Sequence, residues 1–348
     1  MKKKEKNSLF REFVRQLRLP GILITVFMTV MTALITGNTL DMRILATPAT
    51  GQRIDVFDIF EVQFFVSWLI ASILVFMVLS FLRKRSASDF YHSAGVKKTS
   101  LFLSSIGAAM FWFALAVVIS CAAGILTCYT RRYLFIIDYF EVILYLAGFL
   151  VTGFLSGSVT SLACSLTGTG FTAVTAYISI AYAPYVFLSI AGDVLRRNMK
   201  AGSVGHSDNI LEKICDLDLL CYFGYDKCPT VWQILFTLVL GAVVFVLALC
   251  AFAKRKSETA ETAAVSTPVR IILSCSLFFI PTAYVVGSGT FANDMATVIC
   301  LFVLGFGFIV YELGITKKTA TVLTSLPWLA LTYFAAYLPR LVGYLISR

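Results

Sequence analysis

The chain has 348 residues; 59% are hydrophobic, only 14% are charged, and the mean hydropathy is +0.85. Soluble domains carry about 25% charged residues, and repeated apolar runs near 20 residues long are those of a polytopic helical membrane protein, not of a barrel with its alternating ten-residue segments. The net charge of +10 requires no nucleic acid partner, because basic loops on the cytoplasmic face of a membrane protein account for it.

Residues 1–19 begin with MKKKEK and then place Leu9, Phe10, Phe13, Val14 and Leu17 at helical spacing. This pattern predicts an amphipathic helix lying in the membrane interface. The apolar run that follows lacks a small-residue cleavage site, so an uncleaved first helix is expected. Pro20 permits a bend into a first span over 21–40. A connection over 41–61 carries four acids and two arginines, and a second span covers 62–82. The stretch 83–102, RKRSASDFYHSAGVKKTSLF, is charged at both ends and amphipathic in the middle. Within it Ser88 is expected to cap a short helix with Asp89 in its first turn, and Gly95 to end it.

A third span is expected over 101–126 and a fourth over 142–166. The fourth holds Gly153, Ser156, Gly157, Ser158 and Ser161, small residues that let helix backbones approach closely. A tight turn at Thr167–Gly170 leads to a fifth span over 171–192, bent at Pro184. The longest polar segment, 193–233, contains Cys215, Cys221 and Cys228. A sixth span covers 234–253, and KRKSETAETAAVSTPVR follows. Three further spans over 271–290, 295–313 and 322–346 give about nine in all, the last two joined by a basic turn at 316–319. The expected fold class is therefore all-α, with about nine transmembrane helices and an N-terminal interfacial helix.

Charge sets the orientation. With the N-terminus in the cytoplasm, the N-terminal tail holds seven Lys or Arg, the 83–100 loop five, the segment after the sixth span four and the last turn two. That places 18 of the 29 basic residues inside, and 13 of the 19 acids outside. The C-terminus and the loop 193–233 are then extracytoplasmic. Arg131 and Arg132, in the outer connection between the third and fourth spans, run against the bias. Three cysteines on an oxidising side leave open one disulfide, among Cys215, Cys221 and Cys228 or with Cys128. The six other cysteines lie in or beside apolar spans, where they act as small apolar fillers.

Motifs for catalysis are missing. No Gly-Lys dipeptide occurs, hence no P-loop. His92 and His206 are the only histidines and are expected on opposite sides, which speaks against an intramembrane histidine metal centre. No paired carboxylates lie within a span, and Asp138, Glu141, Asp294 and Glu312 sit at span ends. Ion-coupled carriers place ionisable groups deeper. At this point the 83–102 stretch reads either as a plain connector with positive flanks or as a short interfacial helix that another protein can grip.

The run Arg83 to Ser93, followed by Gly95-Val96-Lys97-Lys98 and a span at Leu101, resembles the cytoplasmic loop of ABC-2-type transporter permeases. It is similar to a Gram-positive bacterial group in which Phe-Tyr-His-Ser precedes Leu-Pro; here Ala94-Gly95 stands in that place. Arg255-Lys256-Ser257-Glu258-Thr259-Ala260 resembles the group's Arg-x-Ser-Glu-Thr-Ala segment, with Glu261 where a Gly usually follows. The order of interfacial helix, six spans and extra spans also agrees. The resemblance implies the permease subunit of an ABC exporter in the bacterial cell membrane, with a six-span core over 20–253 and a further segment over 254–348. It implies a separate ATPase subunit that binds ATP, so that this chain carries no cofactor and no catalytic site. The ATPase would dock on the coupling loop through Arg85, Ser88, Asp89, Phe90, Tyr91, His92, Ser93, Gly95 and Val96, and on Ser257, Glu258 and Thr259, with the Thr167–Gly170 turn either a further contact or a simple hairpin. A second permease subunit, identical or related, would complete the transport path, and lipid would surround it. An ATPase-independent secondary transporter, and a sensor or scaffold with the Cys-bearing loop as receptor surface, stand as alternatives.

Overall fold

The computed structural model describes residues 2–46, 52–53, 56–93, 96–130, 135–136, 139–184, 186, 230–256, 262–287, 294–317 and 319–346. In chain order the helices are α1 (Lys2–Gln16), α2 (Arg18–Ala46), α3 (Val56–Val78), α4 (Arg85–Ser93), α5 (Lys98–Tyr129), α6 (Tyr139–Leu166), α7 (170–184), α8 (Val231–Lys254), α9 (Thr267–Gly287), α10 (Asp294–Thr316) and α11 (Thr319–Ile346). Among the described residues, seven helices are long and apolar enough to cross a membrane: α2, α3 with its continuation to Arg83, α5, α6, α8, α9 and α10. The chain is an all-helical membrane protein. The other two predicted spans fall on α7, described to residue 184, and on α11, whose apolar stretch runs over Val322–Leu338. The bend expected at Pro184 falls at the edge of the described residues.

Two compact units form: Met1–Leu162 with Leu219–Lys254, and Ala163–Asp218 with Arg255–Arg348. In the first unit α5 is the hub, packed against α1, α2, α3 and α8. The apolar face of α1 lies on it. Phe13 and Leu17 are buried, Phe13 stacks on Phe81 with ring centroids 6.4 Å apart, and Phe10 meets the edge of Phe111. The break between α1 and α2 falls at Leu17, but the ladder bridges it. Leu17 N–H donates to Phe13 O and Gly21 N–H to Leu17 O. Pro20 sits in the first turn of α2, where its missing N–H is no loss.

Small residues in this unit serve as sockets for large side chains. A Cβ at Gly153 would stand 2.0 Å from Phe113 Cζ, and one at Gly157 would stand 2.3 Å from Met110 Cε. The expected close backbone approach of α6 occurs instead at α8, where a Cβ on Gly241 would lie 3.4 Å from Leu155 Cα. Polar groups pair across spans: Ser156 donates to Trp68 O at 2.8 Å and shares a 2.6 Å hydrogen bond with Ser72, and Gln63 Nε2 donates to Ser120 Oγ at 2.6 Å. In hydrocarbon these bonds replace those that water would make.

The connection expected over 41–61 is shorter than its sequence suggests. α2 continues to Ala46 and α3 begins at Val56. Between them Gln52–Arg53 pairs in parallel with Phe135–Ile136, from the connection between α5 and α6.

In the second unit α9 packs against α10 and α11. Phe278 sits edge-on to Phe308 at 5.4 Å, Thr175 and Tyr311 share a hydrogen bond of 2.8 Å, and Ser179 donates to Leu273 O. α11 continues past both Pro327 and Pro339.

Candidate functional site

α4 is the short helix between two spans. The end of α3 tightens into a 3-10 turn over Leu79–Arg83, and Arg83 folds back to donate to Phe76 O while its guanidinium lies 5.8 Å from the Phe76 ring centroid. A cation at a helix C-terminus satisfies carbonyls that the ladder leaves open. Lys84 is extended (φ −107°, ψ 125°), and α4 then starts at Arg85. Ser88 therefore lies inside the helix, and the cap position falls four residues upstream, at Lys84. The extended Lys84 already breaks the chain direction, so the helix can nucleate before Ser88.

On α4, Arg85 and Asp89 are exposed one turn apart, and Phe90 is 67% exposed. The side chains of Ser88, Tyr91, His92 and Ser93 lie outside the described residues, as does Gly95; Val96 is half-buried. Ser257, Glu258, Thr259, Cys215, Cys221 and Cys228 also lie outside them. Cys128 is a buried free thiol.

Arg255, which opens the second motif, is the feature whose role sequence reasoning missed. It is 1% exposed, and its Nη1 donates to Cys164 O and, at 3.5 Å, to Ser165 O. Val265 N–H donates to Leu166 O at 3.0 Å, and the Thr167 hydroxyl donates to Ala163 O at 2.8 Å. These contacts satisfy the last four carbonyls of α6, which a helix cannot satisfy from within. Gly168 N–H is taken by Thr262 O at 3.1 Å. Thr169 then caps α7, accepting from Thr172 N–H at 3.2 Å. The turn after α6 is thus buried against Arg255, Thr262 and Val265, and Thr167 is only 2% exposed. Burial pulls the Arg255 guanidinium down to about 10, a value that leaves it charged at neutral pH. The one sequence clue was an arginine directly after a span; a cation there more often just marks the membrane edge.

The same unit holds a buried ion pair. Arg270 Nη1 lies 3.5 Å from Glu312 Oε2, and Ser274 donates to Glu312 Oε1 at 2.5 Å. Glu312 is fully buried and Arg270 nearly so. The sequence placed Glu312 at a span end, and so it is, but its partner could not be read from spacing. Among the described residues no group of three or more His, Cys, Asp or Glu is placed to hold a metal ion.

Compared with known proteins, the chain matches no protein-family model, no curated protein and no solved structure.

Proposed function

We propose that this chain is the membrane-spanning permease subunit of an ABC transporter, an exporter of the ABC-2 type in the bacterial plasma membrane, driven by a separate ATPase that docks on α4. The observation that carries the reading is α4 itself. It is a nine-residue helix inserted between two spans, flanked by Arg83, Lys84, Lys97 and Lys98, with Phe90 67% exposed. On this reading Phe90 is the apolar grip that the ATPase would take on an otherwise charged helix. ATP-driven closure of the ATPase would move α4 and, through the short Leu79–Arg83 turn, the end of α3. The Thr167–Gly170 turn is taken by the chain's own 262–265 segment, so it reads as a hairpin turn and not as a second docking contact.

We read the chain as nine spans with the N-terminus inside, and the parity of crossings supports the count. A backbone hydrogen bond cannot reach across about 30 Å of hydrocarbon. The Gly168–Thr262 and Leu166–Val265 bonds therefore place the ends of that interval on one face, with an even number of crossings between them. With α8 as one crossing, we take α7 as the other, the fifth span. Arg270 and Glu312 are likewise on one face, two crossings apart. α11 is then the ninth span and ends on the opposite face. The 18 inner basic residues set the direction.

The buried Glu312 would suit an ion-coupled carrier. Yet Arg270 lies three residues inside α9 and Glu312 four from the end of α10, about 5–6 Å from the span ends at 1.5 Å per residue, against about 15 Å for the midplane. That depth favours an interhelical clamp.

The test is co-purification from native membranes. An ATPase subunit is expected with the unaltered chain and should be lost with Phe90→Ala/Tyr91→Ala at unchanged expression. Transport by the purified chain down an ion gradient, with no ATPase present, would sink the proposal.

A further inference from the structure

Between α1, the start of α2 and α5 lies a cavity of about 370 Å³ in the first unit. Arg11, Arg15 and Arg18 form one wall, spaced i, i+4, i+7 so that all three fall on one face of a helical stretch. The floor is aromatic: Phe10, Phe111 and Trp112. The floor is fixed in place. Trp112 Nε1 donates to Val14 O at 3.1 Å, and the ring rests on Gly21, where a Cβ would stand 2.3 Å from Cδ2.

The three guanidiniums are exposed, and none is engaged in an ion pair or hydrogen bond among the described residues. The nearest acid in sequence, Glu12, accepts from Gln16 at 3.5 Å. Three cations at one mouth repel each other unless an anion sits among them. Arg presents a planar fork of donors suited to phosphate oxygens. Along α2 an apolar stripe is also turned outward: Leu19, Leu23, Val26, Val30 and Leu34 are all exposed, Leu19 at 73%. The cavity thus combines a cationic wall and an aromatic floor, with an aliphatic surface on the same helix. A phosphodiester on two acyl chains has those same parts.

We propose that this cavity binds an anionic phospholipid from the surrounding leaflet, its phosphodiester held by Arg11, Arg15 and Arg18 and its acyl chains laid on Phe111 and the outer stripe of α2. The lipid would fix α1 against α5 from the membrane side. The inference rests on the membrane setting and not on any partner or transport reaction. Polybasic contacts at a membrane surface contribute about 1 kcal/mol per residue, so each arginine is worth about fivefold in affinity and the three together about a hundredfold.

Native mass spectrometry of the full chain in detergent tests it, with equal added phosphatidylglycerol and phosphatidylcholine. Retained phosphatidylglycerol adducts are expected, with a raised melting temperature. The variant Arg11→Gln/Arg15→Gln/Arg18→Gln should lower that preference about a hundredfold. A control, Lys2→Gln/Lys3→Gln/Lys4→Gln, removes the same charge and should leave the preference within about twofold. If the control loses it equally, the effect is diffuse charge and the site does not exist. If the arginine variant keeps the preference, or if inorganic phosphate alone gives the same thermal shift, the proposal is overturned.

Discussion

Arg255 is where the loss of one side chain has the widest effect. Its buried guanidinium is matched by carbonyls at the negative end of α6. Arg255→Met would remove that donor from the buried end of α6, a loss of about 1–3 kcal/mol, read as a lower melting temperature in detergent. Arg255→Lys keeps the charge but not the fork, and should recover only part of it. Glu312 offers a sharper comparison. Glu312→Gln strips Arg270 of its counter-charge, and breaking a buried pair costs about 3–5 kcal/mol. The double variant Arg270→Met/Glu312→Leu removes both charges and should be more stable than Glu312→Gln alone. A double variant less stable than either single change would show that the pair is more than a clamp. Neither pairing was legible beforehand. Sequence places Arg255 and Glu312 at span ends, but the carbonyl that meets Arg255 is 91 positions away and the cation that meets Glu312 is 42 positions away.

Seven of the nine expected spans coincide with helices long and apolar enough to cross a membrane, and their extents were read less well. Hydropathy marks the stretch that lies in hydrocarbon, whereas the hydrogen-bond ladder runs on through polar residues. α2, with 29 residues at 1.5 Å each, is about 44 Å long, well beyond the roughly 30 Å of hydrocarbon that the 21–40 span was drawn to fill. For α4 the presence of a short helix was legible, from an amphipathic run between basic flanks, but its start was misjudged because Ser88 looked like a cap. The small residues of α6 were recognised, and their use as sockets was not, because the ring that fills Gly153 comes from α5. Gly153→Ala pushes a methyl into Phe113, an overpacking that should cost about 1–3 kcal/mol. Adding Phe113→Leu should restore much of it, measured as thermal stability of the two variants. If Gly153→Ala alone is neutral, the ring is freer to swing than its surroundings allow.

For the whole chain, the topology can be probed from outside with a membrane-impermeant thiol reagent. Labelling should reach the 206–228 region and miss a cysteine introduced at Lys256; the reverse pattern would overturn the assigned orientation. The pairing of Gln52–Arg53 with Phe135–Ile136 joins the first and third connections, as alternate crossings would allow.

The seal over the end of α6 also has a consequence in time. Cys164 O waits for a donor 91 residues further along the chain. At about 5–20 residues per second of synthesis, that is roughly 5–20 s during which α6 and α7 are made but their turn cannot close. The hairpin is therefore finished only when Arg255, Thr262 and Val265, all beyond α8, have cleared the ribosome. A nascent chain arrested at Lys254 should be nicked by cytoplasmic protease at 167–169, and one arrested well beyond Arg270 should resist.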